Sequence, residues 1–290
     1  MRRMEFGGRW TELKLDRLES YLPAYTTIFT QNPRARHFQT IYVDAFAGTG
    51  KIKFIDESES LFDRGEEREY LKGSAIRALE VEPAFNRYIF IESDEDRCAE
   101  LQELKAVFPA KADVIKILNE DANGFLLRWT GETDWSKWRA VVLLDPFAMD
   151  VEWHVIKALG QTGGIDLWYL FPCGAFNRLL TKDRRPPPAW GARLTRVCGT
   201  PDWDERFYRS GIADGLFGPI QTEEKIAGFS EIAAFLHQRL ETAFIKVERP
   251  LWLVNSQNVP MFMLFFAASN KKGATTGSKI ARWVIDHGGN

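Results

Sequence analysis

The residues in this chain that could do chemistry together are one glycine turn and a series of acids. The turn is Asp44-Ala-Phe-Ala-Gly48-Thr-Gly50, with Phe46 inside it, and it sits on the end of the apolar run Thr40 to Phe46. Glycines there let the backbone come close to a ligand, and small residues let the following helix pack. Acids recur at or just after later apolar runs: Glu92 closes Tyr88 to Glu92, Asp121 follows Val114 to Leu118, and Asp145 follows Val141 to Leu144. An acid after a second strand suits a ribose, because a carboxylate accepts hydrogen bonds from two hydroxyls. The usual spacing from glycine turn to that acid is about 20 residues. Here it is longer, and the excess is residues 54–70, FIDESESLFDRGEEREY, with seven acids against two arginines. That stretch reads as a solvated loop inserted into the core fold. A solvated strand end explains any one acid alone; four in order point to one shared edge.

For these acids to share an edge, strands and helices must alternate. Residues 10–29 read as a helix, with Leu15, Leu18, Leu22, Tyr25 and Phe29 in steps of three and four. Thr11 suits its N-cap, and Pro23 should kink or split it. Strands are predicted at Thr40–Phe46, Tyr88–Glu92, Val114–Leu118, Val141–Leu144 and Ile165–Phe171. Helices are predicted over 73–82, 96–108, 122–130 and 151–159. The runs are apolar on both faces, as in a mostly parallel sheet covered by helices on both sides. Residues 181–224 interrupt the alternation and are predicted to form a small helical insertion. A helix over 229–244 follows, then strands at Leu251–Val254 and Met261–Ala268 and a closing helix over 279–285. The predicted fold class is α/β: a doubly wound, mostly parallel sheet with a C-terminal antiparallel strand pair and helical insertions. Residues 1–39 form a helical segment ahead of an α/β domain over 40–290.

Composition narrows the function classes. Of 290 residues, 45% are hydrophobic and 27% charged, an ordinary globular mixture. The net charge of −2 excludes a chain that is basic throughout, so any nucleic-acid contact must be a local patch. Cys98, Cys173 and Cys198 are scattered and odd in number, which excludes a disulfide scaffold and suits a reducing cytoplasm. No cysteine or histidine spacing suggests a metal ligand set, so no metal is expected. The longest apolar run, Met261 to Ala268, is too short for a membrane helix, which needs about 20 residues. The first residues do not read as a signal peptide, and a soluble, cytoplasmic protein without membrane contact is expected. Ten Trp and twenty-one Phe leave two readings: an aromatic core, or stacking surfaces for bases or a partner protein.

The glycine turn, the ordered acids and the antiparallel close resemble the fold of S-adenosylmethionine-dependent methyltransferases. The resemblance implies S-adenosylmethionine as cofactor. It implies that Asp44, Phe46, Gly48 and Gly50 surround the methionine part, that Glu92 binds the ribose, and that Asp121 and Ala122 flank the adenine. Asp145-Pro146-Phe147 resembles the D-P-P-[YF] motif of methyltransferases that modify exocyclic amino nitrogens. In that motif the Asp and a backbone carbonyl accept hydrogen bonds from the target amine, and an aromatic stacks on the base. Here the second proline is missing and Phe147 comes one position early. A tight turn capped by Asp145 is the plain alternative. Gly73-Ser74 resembles an element lining the cofactor pocket in some adenine methyltransferases; Ser74 also reads simply as a helix N-cap.

Longer matches cover most of the chain. WTELKLD (Trp10 to Asp16), YLPAY (Tyr21 to Tyr25), YVDAFAGTG, LLDPFAMDVEW (Leu143 to Trp153), IDLWYLFP (Ile165 to Pro172), FNRLL (Phe176 to Leu180) and CGTPDW followed by FY (Cys198 to Tyr208) resemble the three-Cys-motif partner family, TcmP. That resemblance implies a partner: a three-cysteine, radical-S-adenosylmethionine-like protein. Lys182, Arg184, Arg185, Arg193 and Arg196, with Trp190 among them, could contact nucleic acid, or could be an ordinary solvated insertion. Two functions follow. The first is a methyltransferase acting on an exocyclic amino nitrogen of a nucleic acid base, with Asp145, Pro146 and Phe147 as catalytic residues. The alternative is a non-catalytic, methyltransferase-like adaptor for the three-cysteine protein.

Overall fold

The computed structural model describes residues 9–49, 51–53, 70–182, 185–215 and 218–288. The first helix, α1 (Arg9–Gln31), buries Leu15, Leu18, Tyr21, Leu22 and Tyr25. It begins ahead of Thr11, which therefore lies in the first turn and is not its cap. Pro23 does not split it. The proline removes a bond to the carbonyl of Glu19, a solvent-exposed position where water can take over. Thr26 Oγ1 donates to the carbonyls of Leu22 and Pro23, each at 3.2 Å, and the buried face holds the rest.

Strand β1 (Gln39–Asp44) follows. A short antiparallel pair, β2 (Lys51–Lys53) and β3 (Tyr70–Lys72), closes the base of the acidic stretch, whose residues 54–69 lie outside the described ones. Alternation then holds through α2 (Ser74–Glu80), β4 (Arg87–Ile91), α3 (Glu95–Gln102), α4 (Leu104–Val107), β5 (Ile115–Leu118), α5 (Ala122–Glu132), β6 (Trp138–Leu144), α6 (Trp153–Gln161) and β7 (Ile165–Phe171). The helix predicted over 96–108 is interrupted at Glu103, between α3 and α4.

The insertion departs from its prediction. Helices α7 (Cys173–Leu179), α8 (Pro188–Cys198) and α9 (Trp203–Phe207) lead into an antiparallel hairpin, β8 (Tyr208–Gly215) with β9 (Gly218–Lys225). Residues 181–224 are thus half helix and half hairpin. Gly211, Gly215, Gly218 and Pro219 carry poor helix propensity, and no apolar stripe over this stretch compensates. Gly199 ends α8 with φ +68°, and the Trp153 side chain lies only 1.8 Å from where a Cβ would stand. The chain closes with α10 (Phe229–Glu241), β10 (Lys246–Val247), β11 (Leu251–Val254), β12 (Pro260–Ala268) and α11 (Ala274–His287).

The large sheet runs β5-β4-β1-β6-β7-β12, with β10 and β11 both on the outer side of β12. Pairs from β5 to β7 are parallel, and β12 lies antiparallel to β7. The order turns back at β1: the chain goes outward through β4 and β5, then returns to β6 on the other flank. Ligands in such sheets bind outside the carboxyl ends of the strands, at that switch point. Strand alternation divides the core. Ile41, Val43, Val142 and Leu144 pack under α5 and α6, and Tyr42, Val141, Leu143 and Trp168 pack under α1, α2 and α11. Most aromatic side chains are core; Phe147, Trp190 and Trp283 are exposed exceptions.

Candidate functional site

The carboxyl ends of β1, β4 and β6 meet where the strand order turns back. Asp44 ends β1 on the same face as Tyr42, two residues earlier, and so points under α1 and α2. It is fully buried. Ser74 Oγ donates to its Oδ2 at 2.5 Å, and the Phe46 N–H donates to its Oδ1 at 3.3 Å. Burial pushes the Asp44 carboxyl up to about 7; the Ser74 bond opposes this, nearby Asp145 adds to it, and Phe46 and Lys14 oppose it. Ser74 is not the cap of α2. Gly73 holds that position and makes no side-chain cap bond, which leaves the Ser74 hydroxyl free to reach Asp44.

Past β1 the chain turns at Gly48, with φ +59° and open space where a side chain would begin. The Gly48 N–H donates to Glu92 Oε2 at 3.0 Å, and the Asp94 N–H donates to Oε1 at 2.9 Å. Glu92 is 5% exposed, and its own carbonyl accepts from Asn119 Nδ2 at 3.0 Å. The glycine turn, the end of β4 and the loop after β5 therefore form one network. Each Glu92 oxygen keeps a second lone pair for a hydroxyl. Gly50 lies outside the described residues.

The remaining acids divide. Asp121 is exposed and caps α5, accepting the Gly124 N–H at 2.7 Å. Its carboxylate serves the helix, and neighbouring Ala122 is buried. Asp145 stands just past β6, beside Asp44, with Pro146 buried and the Phe147 ring 54% exposed. The guanidinium of Arg97, in the first turn of α3, lies 5.0 Å from the centre of the Phe147 ring. Asn123, at the start of α5, donates to the Asp150 carbonyl at 2.8 Å and accepts the Glu152 N–H at 3.1 Å. That pair of bonds fixes the loop following Asp145.

Sequence reasoning missed the most direct partner of Asp145. Lys14 of α1 donates to Asp145 Oδ2, a contact spanning 131 positions. Its only sequence signal was a polar residue beside the apolar stripe of α1, which any solvated helix shows. The orphan hydroxyl of Tyr42 was missed as well; it is buried and has no partner among the described residues. Desolvation raises the Tyr42 pKa, and the charges of Asp44 and Asp145 raise it further.

The basic residues of the insertion are partly spent on neighbours. Arg185 pairs with Asp204 at 2.8 Å and Glu223 at 2.5 Å, and Arg193 pairs with Asp150 at 3.3 Å. Arg196 and Lys182 are exposed, and Arg184 lies outside the described residues. Among the described residues, surface cavities lie elsewhere, one of about 340 Å³ beside Arg185 and Trp203 and one of about 750 Å³ along Arg87, Trp129 and Trp138. Among the described residues no cluster of His, Cys, Asp and Glu could hold a metal ion, and all three cysteines are free and buried. No helix among them is long and apolar enough to cross a membrane.

No family model matches the chain, and no curated protein matches it either. Solved structures do. A Legionella pneumophila protein of family DUF519 is 14% identical over 91% of this chain and 98% of its own, with a TM-score of 0.46. A Clostridium acetobutylicum S-adenosylmethionine-dependent methyltransferase is 10% identical over 87% of this chain and 92% of its own, at 0.34. A Clostridium thermocellum protein described as a putative rRNA methylase is 11% identical over 70% and 95%, at 0.30. The sheet described above is a doubly wound, mostly parallel sheet of methyltransferase type, and that assignment rests on its strand order and register.

Proposed function

We propose that this protein is an S-adenosylmethionine-dependent methyltransferase that acts on an exocyclic amino nitrogen of a nucleic acid base. The observation that carries the reading is the buried bracing of Glu92. A carboxylate fixed by two backbone N–H groups at the end of β4, against a glycine turn with open space above it, is a preorganised acceptor for a ribose. Asp44, Phe46, Gly48 and Ser74 would hold the methionine part of the cofactor, and Ala122 would lie against the adenine. Asp121 reaches the adenine only by sharing its carboxylate with the start of α5. When bound, the cofactor supplies an electrophilic methyl group.

The chain's own residues orient the acceptor. Asp145 accepts a hydrogen bond from the target amine, and the Pro146 carbonyl offers a second acceptor. Together they fix the nitrogen lone pair, which is most of what methyl transfer requires of a protein. Phe147, exposed and two residues beyond Asp145, offers a ring face to the base, with Arg97 beside it. We also propose the partner implied by the sequence resemblance, a three-cysteine radical-S-adenosylmethionine-like protein. The Lys14 contact on Asp145 favours a second reading, an adaptor whose acceptor position is permanently filled.

Calorimetric titration with S-adenosylmethionine and S-adenosylhomocysteine separates the two. Micromolar binding, worth about −8 kcal/mol, that Glu92→Ala weakens roughly a hundredfold is the expected result. A folded protein that binds neither compound would leave the adaptor.

A further inference from the structure

Asp145 does not face the crevice bare. Lys14 donates to its Oδ2, and the lysine nitrogen lies 5.6 Å from the centre of the Trp10 ring. Only 11% of the Lys14 side chain and 20% of the Asp145 side chain are exposed. The helix that carries Lys14 is firmly mounted. Trp10 packs on Phe262 with ring centres 4.7 Å apart, and Arg77 of α2 bonds Asp16 at 2.8 Å and Glu19 at 2.5 Å. The lysine stem itself is flexible and can swing while α1 stays in place. Asp44, Asp145, Ser74 and the partnerless Tyr42 hydroxyl complete the surroundings. Lys14 is therefore the resident counterion of a two-carboxylate site: it contacts one acid and stabilises the charge of the other through space.

We infer that Lys14 is a charge-operated gate, which holds Asp145 until a sulfonium-bearing cofactor repels it and so reserves Asp145 for an acceptor that arrives afterwards. The inference rests on S-adenosylmethionine being the cofactor. Transfer to a nitrogen held by Asp145 requires the sulfonium to stand close to that nitrogen, in line with it. Lys14 occupies that neighbourhood with a charge of the same sign. Like charges within about 4 Å repel enough to move a binding constant about fivefold even in a water-like medium, and more where water is excluded. S-adenosylhomocysteine has a neutral sulfur, so Lys14 can remain on Asp145 beside it. The gate thus opens for the loaded cofactor and closes on the spent one. The amino acceptor finds its hydrogen-bond partner free about fivefold more readily when there is a methyl group to receive.

The gate predicts a difference between two ligands that a merely structural lysine would not produce. The full chain is titrated calorimetrically with both compounds at about pH 8.5, above the range in which Asp44 titrates. Lys14→Met should bind S-adenosylmethionine about fivefold tighter than the parent and S-adenosylhomocysteine within about twofold. Lys14→Arg, which keeps the charge, should stay close to the parent for both. Thermal melts establish that each variant is folded, with Lys14→Gln in reserve if the methionine variant is not. An unchanged ratio of the two affinities in the Lys14→Met protein overturns the gate while leaving the cofactor reading intact. Failure of the parent to bind either compound overturns the cofactor reading and the gate with it. Peptide mass mapping adds a third check: one methyl group located on Lys14 after incubation with S-adenosylmethionine would make the lysine an acceptor and end its role as gate.

Discussion

The two flanks of the crevice are built on opposite plans. At the ends of β1 and β4, Asp44 is fully buried, Glu92 is nearly so, and each carboxylate accepts two hydrogen bonds, from the start of α2 and the β1 turn in one case and from two loop N–H groups in the other. On the other flank, the insertion carries Arg185, Arg193 and Arg196 at the surface. Arg185 is 41% exposed and Arg193 45% exposed, and both lean on acids that are themselves solvated. A buried hydrogen-bonded acid fixes geometry, because leaving it unsatisfied is expensive. An exposed ion pair fixes little, because water and salt compete for both partners. One flank is therefore suited to gripping a constant ligand, and the other can be redrawn around a variable one.

The sharpest way to break this contrast is at Asp145, which stands between the flanks. In the presence of S-adenosylmethionine, Asp145→Ala should lower methyl transfer by at least ~100-fold while cofactor binding measured by calorimetry persists. Methylation that survives the change would remove Asp145 from the acceptor side altogether.

Asp44 tests the buried flank through pH. Its carboxyl is raised in the fold to about 7 from 3.8, chiefly by burial. An acid so raised binds more protons folded than unfolded across that interval. The Asp44 contribution to stability without ligand should therefore be fully present below about pH 4, fall as pH rises toward 7, and level off above it. The Asp44 share of that fall is up to ~4 kcal/mol. Asp44→Asn, read by urea denaturation across pH, should flatten it; a curve of unchanged slope would show that Asp44 is not held in a dehydrated site.

Gly199 tests whether the insertion is anchored or merely attached. A side chain there would meet both a left-handed backbone and the Trp153 side chain. Gly199→Ala should cost about 2–3 kcal/mol, seen as a lower denaturation midpoint. Replacement at no cost would mean that α8 ends without help from α6. The smallest effect belongs to the exposed pair: Arg193→Ala should change stability by no more than ~0.5 kcal/mol. A loss several times larger would put the two flanks on the same footing.

What could be read from the sequence follows the same division. Strands such as Ile165–Phe171 and Leu251–Val254 were legible to the residue, because runs apolar on both faces bounded by polar residues leave few other readings. The acids Asp44, Glu92 and Asp145 were legible as strand-end residues, since topology alone brings strand ends together. The hairpin of β8 and β9 was not legible: it buries little, and without burial there is no period to detect. Lys14 was not legible either. Its partner is chosen by how α1 lies across the sheet, and nothing local in the sequence encodes that angle. Ser74 fell between the two. The small hydroxyl next to a glycine was visible, but its service to Asp44 depends on a neighbour thirty positions away.

The placement of α1 also has a consequence in time. This helix is made well before several of the elements it rests on. Tyr21 donates to Asp166 at 2.7 Å and packs against Phe266, Trp10 packs against Phe262, and the helix lies alongside α11. At ribosomal speeds of ~5–20 residues per second, on the order of 10–50 s separate the emergence of α1 from that of its platform. Throughout that interval the stripe of Leu18, Leu22 and Tyr25 can cover only the early-made part of its native surface, on α2, Tyr42 and Phe85. Lys14 meets Asp145 only after β6 has been made and α1 has docked. A version with the helix moved genetically to follow α11 would make α1 and this platform nearly together, and should fold with less delay.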